Sequence, residues 1–123
     1  MIRGIRGATT IPEDLASHIL SETEKLVLAM AKENNIRPED VASVVVSTTT
    51  DIAATFPAKA VRSIPEWTYV PVMCTHEMDV PGAITKCIRI LMHVNTEKSQ
   101  RDIHHVYLNE AMKLRPDLIT SIT

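Results

Sequence analysis

The first eleven residues are β-branched and interrupted by Gly4 and Gly7. Alternation predicts a strand with Arg3, Ile5 and Gly7 on one face and Ile2, Gly4, Arg6 and Ala8 on the other. Leu15, Ile19, Thr23, Leu26, Val27 and Met30 then recur at helical spacing, opposite Ser21, Glu22, Lys25, Lys32 and Glu33. This predicts one long amphipathic helix covering a sheet and ending near Asn34 and Asn35. Thr10-Ile11-Pro12-Glu13 has the form of a capping box for its start, with Asp14 and Ser17 as an alternative cap.

Residues 37–40 form a turn, and residues 41–50 are nearly continuous in β-branched side chains, as in a strand covered on both faces. Residues 51–64 begin as a loop and become a short helix with Pro57 in its first turn. A strand over residues 69–74, a polar loop and a strand over residues 86–95 follow. In the last of these Lys86, Ile88, Ile90, Met92 and Val94 share one face; Cys87, Arg89, Leu91 and His93 share the other. A charged turn over residues 96–102 precedes a strand over residues 104–108, with His105 and Tyr107 on one face. Residues 111–118 and a short polar tail close the chain. Strand and helix patterns thus alternate within a single domain, residues 1–123.

Composition narrows the function classes. The chain has 123 residues, 45% hydrophobic and 23% charged, with a net charge of −2. That suits a soluble globular domain and gives no electrostatic case for nucleic acid or an anionic membrane. One Trp, two Tyr and one Phe are too few for a base-stacking platform. No apolar run reaches the length of a membrane span, and the amino terminus lacks a secretory pattern. Two cysteines, Cys74 and Cys87, make neither a disulfide framework nor a zinc set, so a reduced, cytoplasmic setting is expected. His104 and His105 point to opposite faces of a strand, and no neighbouring ligand spacing completes a metal site.

The candidate chemistry lies in unusual arginines. Arg89 sits among mostly apolar neighbours within a strand pattern, so something anionic should stand near it: Glu77, Asp79 or a ligand. Arg6 has the small residues Gly4 and Ala8 beside it on its own face; it reads as a rim arginine or as a ligand-binding one. Lys59 and Arg62 lie three apart on the short helix and read either as a solvated basic turn or as an anion site. No glycine-rich phosphate loop and no nucleophile with its base are present, and nothing pairs Cys74 with His76. Several cations, one loop glutamate and one tyrosine suit binding a small polyanion and stabilising charge without covalent catalysis.

Several ordered motifs match one family. They are Ile2-Arg3-Gly4-Ile5-Arg6-Gly7-Ala8-Thr9-Thr10, Phe56-Pro57-Ala58-Lys59-Ala60-Val61-Arg62, Tyr69-Val70-Pro71-Val72, and Glu77-Met78-Asp79-Val80. Cys87-Ile88-Arg89, His105-Val106-Tyr107-Leu108 and Leu114-Arg115-Pro116-Asp117-Leu118 complete the set. Nearly end to end, the chain resembles the small monofunctional chorismate mutases of the AroH class, which differ from the all-helical chorismate mutases. The resemblance implies an α+β subunit, a mixed β-sheet packed with helices, assembled as a homotrimeric pseudo-α/β-barrel with active sites between neighbouring subunits. It implies the non-covalent Claisen rearrangement of chorismate to prephenate in aromatic amino-acid biosynthesis, without cofactor or metal.

Carried over by position, Arg89 would hydrogen-bond the ether oxygen as its bond breaks, and Glu77 would face the substrate ring and hydroxyl. Arg6 and Tyr107 would bind a carboxylate, and Cys74 would meet the hydroxyl side. Phe56, Ala58 and Leu114 would form apolar walls. Lys59 and Arg62, with Arg115 on the tail, would draw the dianion to the mouth. On this reading Glu77 and Arg89 face opposite ends of the substrate and need not pair with each other, and Asp79 is left solvated. Met73 departs from the family, whose members often carry threonine beside the cysteine; what that changes depends on whether its side chain or only its backbone lines the pocket.

Overall fold

The structure is a computed structural model and describes residues 1–114. Its centre is a mixed five-stranded sheet. The strands are β1 (Ile2–Thr10), β2 (Val41–Thr48), β3 (Val72–His76), β4 (Cys87–Asn95) and β5 (Val106–Tyr107), in the order β3-β2-β4-β1-β5. The outer pairs β2–β3 and β1–β5 are parallel, and β4 runs antiparallel to both β1 and β2. One face is covered by α1 (Ala16–Glu33), with the short α2 (Ala58–Ser63) packed against it.

Alternation along the strands creates the core. Ile5, Val44, Val46, Ile88, Ile90, Met92 and Val94 all face the helices, and α1 answers with Ile19, Leu26, Val27 and Met30. Gly7 lies under the helix: a Cβ there would stand 3.0 Å from Leu26 Cδ1 and 3.1 Å from Met30 Cγ. The close approach of α1 to β1 therefore needs glycine at this position.

The other face is different. Gly4, Arg6 and Ala8 on β1, Arg89, Leu91 and His93 on β4, and Ser43, Val45 and Ser47 on β2 look away from the helices. In β2 this leaves Val45 and Ser47 half-buried between buried neighbours, so the described residues do not supply the expected cover on both faces.

Several local expectations are corrected. The capping box at Thr10 does not form, because Thr10 still belongs to β1 and α1 begins only at Ala16 with Leu15 as an uncapped N-cap residue. The Thr10 hydroxyl instead accepts the Glu110 N–H at 3.1 Å. Asp14 does not cap α1 either. Its carboxylate accepts the N–H groups of Ala53 and Ala54, each at 3.1 Å, and so fixes the loop that leads to α2.

The helix does end where expected. Asn35 takes a left-handed φ of 53°, and the buried Asn34 side chain donates to the Met30 carbonyl and exchanges two hydrogen bonds with His104. β2 stops at Thr48, two residues early. β3 is shifted along the chain, since Tyr69 is 96% exposed and pairing begins only after Pro71, whose carbonyl accepts the Val44 N–H. Lys86 has a φ of 48° and lies outside β4, and the strand expected over residues 104–108 shrinks to Val106–Tyr107.

Candidate active site

Strand register places the polar side chains. Across the open face one row runs Tyr107, Ala8, Arg89, Ser47 and Thr75, and the adjacent row runs Arg6, Leu91, Val45 and Met73. Arg6, Arg89 and Tyr107 therefore share a face, separated by the small side chain of Ala8. They line a cavity of ≈ 260 Å³ with Ser47, Leu91 and Leu114 among its walls. Two guanidinium groups and a phenol over an apolar floor form a receptor for a small anion. Arg6 is thus an exposed arginine on the wall of this cavity.

Arg89 has the anionic partner its position called for. Glu77 follows β3, its N–H bonded to the Thr48 carbonyl at 2.9 Å, and its Oε1 lies 2.6 Å from Arg89 Nε. The two meeting atoms are buried yet make no aligned hydrogen bond, so the contact is ionic and its hydrogen-bonding capacity is not satisfied. Of the anionic partners expected for Arg89, the structure brings Glu77 to it. The small Ser47 between β4 and β3 leaves room for the arginine to reach across β2.

Beside Arg89 lies Cys87, fully buried against Ala8 and Ala111. Burial pushes its thiol up to about 11, against the opposing pull of the Arg89 guanidinium. It is a neutral packing group beside the cations. The start of β4 is tied down by two side chains just after the end of β2. Asp51 accepts the Lys86 N–H at 2.9 Å, and the Thr49 hydroxyl accepts the Cys87 N–H at 3.0 Å. Turn-type polar residues after a strand were the only signal for them.

The remaining expected residues lie elsewhere. Phe56, Lys59 and Cys74 line a second cavity of ≈ 480 Å³, together with Thr48, Ile52 and His76. Cys74 pairs in register with Val46 and so faces the helix side of β3. Lys59 and Arg62 are exposed on α2 and border a further shallow concavity beside Glu24. Ala58 is buried under α2 and lines none of these cavities. Met73 projects from the opposite face of β3 to Cys74 and is 71% exposed, so its side chain does not enter the Cys74 cavity. Arg115 lies outside the described residues.

Cys74 and Tyr107 stand on the two edge strands, four strand spacings apart. At about 4.8 Å per spacing that is roughly 19 Å. One small molecule cannot touch both Cys74 and Tyr107 within one chain. The first cavity spreads over β2, β4, β1 and β5 on the open face, and the second lies beside β3 and the loop before α2.

Comparison with known proteins fits this architecture. Residues 2–118 match the family model described as chorismate mutase type I. The chain is 52% identical to the chorismate mutase AroH of Bacillus subtilis (strain 168) over 96% of its length and 93% of the relative's. It is 43% identical to the chorismate mutase AroH of Thermus thermophilus over 96% and 97%. A solved chorismate mutase from Clostridium thermocellum superposes with a TM-score of 0.88 at 47% identity, covering 90% of this chain and 98% of that one. The chain belongs to the chorismate mutase type I family.

Proposed function

We propose that this chorismate mutase, which converts chorismate to prephenate, acts in the cytoplasm as a homotrimer whose active sites are completed across subunit boundaries. The observation that carries the chemistry is the grouping of Arg6, Arg89 and Tyr107 over one cavity, with Glu77 against Arg89. The split of the other expected residues to the far edge of the sheet supports the subunit boundary: Phe56, Lys59 and Cys74 would come from a neighbour. The half-exposed open face of the sheet supplies surface for that contact. Cys74 and Cys87 are both free thiols, in keeping with a reducing compartment.

Chorismate is a dianion, and its rearrangement is intramolecular. The enzyme must hold the compact diaxial chair in which the reacting carbons approach, a positioning contribution that needs no nucleophile or base. Arg6 and Tyr107 bind one carboxylate. As the ether C–O bond lengthens, its oxygen gains negative charge; Arg89 donates to that oxygen, and its fork also reaches a carboxylate. The electron-poor ring needs an opposing negative charge, which Glu77 provides while accepting from the substrate hydroxyl. Substrate entry then draws the Arg89 guanidinium from its poorly aligned contact with Glu77 into aligned hydrogen bonds with the substrate. Lys59 and Arg62 of the neighbouring subunit attract the dianion, and Phe56 closes an apolar wall.

Loss of chorismate absorbance on adding the pure protein, with prephenate as the product, tests the reading. A protein that binds chorismate without consuming it would instead be a binding module on the same scaffold. One that does neither would be a structural assembly.

A further inference from the structure

Alternation along β1 directs the N–H and C=O groups of Arg6 and Ala8 toward β5; the Ala8 carbonyl accepts the Leu108 N–H at 2.9 Å. β5 is only two residues long and its ladder runs through Gly7 and Ala8, so no β5 carbonyl accepts the Arg6 N–H. The Arg6 N–H donates instead to Nδ1 of the His105 ring, at 2.9 Å. An imidazole thus stands where the next strand carbonyl would be. Tyr107 lies between the two ties, His105 to Arg6 on one side and Leu108 to Ala8 on the other.

We infer that His105 is a positioning residue for the carboxylate-binding end of the site, its Nδ1 locking together the two elements that carry Arg6 and Tyr107. The inference rests on the assignment of Arg6 and Tyr107 to substrate binding. Nδ1 accepts a hydrogen bond only when unprotonated, so the ring is in the form with its proton on Nε2. The tie closes a long loop, joining residues 99 positions apart in sequence. Without it, the ties around Tyr107 run from His104 to Asn34 at the end of α1 and from Leu108, Asn109 and Glu110 to Ala8, Thr9 and Thr10. None of these engages the Arg6 N–H, and the β5 ladder itself is only two residues long. The consequence falls on binding, since Arg6 and Tyr107 hold a carboxylate that does not change in the reaction.

Three substitutions separate this role from simple packing. His105→Asn keeps an acceptor oxygen near the Nδ1 position, His105→Gln moves the polar group toward the Nε2 position, and His105→Leu removes it. KM for chorismate should rise roughly five- to tenfold in the Leu and Gln variants, the loss of about one hydrogen bond. In both, kcat should stay within about twofold, and the Asn variant should resemble wild type. Amide hydrogen exchange supplies a readout independent of turnover: the Arg6 N–H should be protected in wild type and in His105→Asn, and exchange faster in His105→Gln. Equal KM in Asn and Gln variants, a loss confined to kcat, or unchanged Arg6 exchange throughout would overturn the inference. A wild-type protein that protects the Arg6 amide but does not consume chorismate would leave the tie in place and remove only its proposed purpose.

Discussion

Arg89 and Glu77 meet across β2, their closest atoms 2.6 Å apart, from segments on opposite sides of that strand. Arg89 is 43% exposed at its side chain and Glu77 19%, so the pair stands at the boundary between sheet and solvent. An ion pair in such a place contributes little to stability and is readily exchanged for a ligand. Its value is therefore expected in turnover. Replacing Arg89 by a neutral isostere such as citrulline, or by alanine, should lower kcat by about 10²–10³ while urea unfolding changes little. A correctly assembled Arg89→Ala protein with near-normal activity would sink the assigned mechanism.

The contact also predicts coupling. Glu77→Ala removes the charge facing the ring and leaves the Arg89 guanidinium without its counter-ion; Arg89→Ala does the converse. The two groups act on one transition state and on each other, so their effects should not add. The double variant should be no worse than Arg89→Ala within about threefold in kcat/KM. Additive losses in a double-mutant cycle would show that the two act independently.

The approach of α1 to β1 gives a stability prediction remote from the chemistry. A methyl group at position 7 would crowd Leu26 Cδ1 and the Met30 side chain. Met30 is flexible and can give way in part, so Gly7→Ala should cost about 1–3 kcal/mol in urea unfolding. Shortening the neighbour in the Gly7→Ala, Met30→Val double variant should recover part of that loss. An unchanged midpoint in Gly7→Ala would mean that the helix shifts freely on the sheet.

What the sequence made legible was local. The 3.6-residue period over α1 and the alternation through β4 named most of the buried residues, because each pattern records its own burial. Leu15 is nevertheless exposed, and Cys87 is buried on the other face of β4. The partners of loop side chains were not legible. Asp14 looked like a helix cap, yet it serves Ala53 and Ala54, some forty positions away. Spacing left Arg6 undecided, because the space above Gly4 and Ala8 has meaning only once it is known that α1 covers the opposite face. The family resemblance supplied residues for one site, but the chain order β3-β2-β4-β1-β5 is what sends Cys74 and Tyr107 to opposite edges. Topology of that kind is non-local, and no window of sequence carries it.

Met73 illustrates the same point and gives a further prediction. Its side chain leaves β3 on the face opposite Cys74 and is exposed in a single chain. Met73→Thr should therefore change kcat/KM by less than about threefold. The proposed assembly would cover the open face of the sheet, and there a methionine contributes more apolar area than a threonine. The variant's trimer should dissociate at higher protein concentration than wild type in sedimentation. A large change in turnover with unchanged assembly would place this side chain in the site.

Cys87 gives the pH prediction. Its thiol is raised from 9.0 to about 11, first by burial, with Arg89 opposing and Glu77 and Asp51 adding to the rise. In the unfolded chain the thiol ionises near its ordinary value, whereas in the folded chain it keeps its proton for about two more pH units. Between the two values the native state binds more protons, so stability falls as pH rises. The contribution is complete below about pH 9 and lost progressively toward pH 11, amounting to roughly 2–3 kcal/mol. Lysines and tyrosines titrate over the same range, so the informative quantity is a difference. The stability of wild type minus that of Cys87→Ala, from urea unfolding at each pH, should be flat up to about pH 8 and then decline by that amount. A flat difference through pH 11 would mean that the attraction of Arg89 cancels the cost of burial, and a difference that rises toward pH 9 would mean that Arg89 holds the buried group as a thiolate.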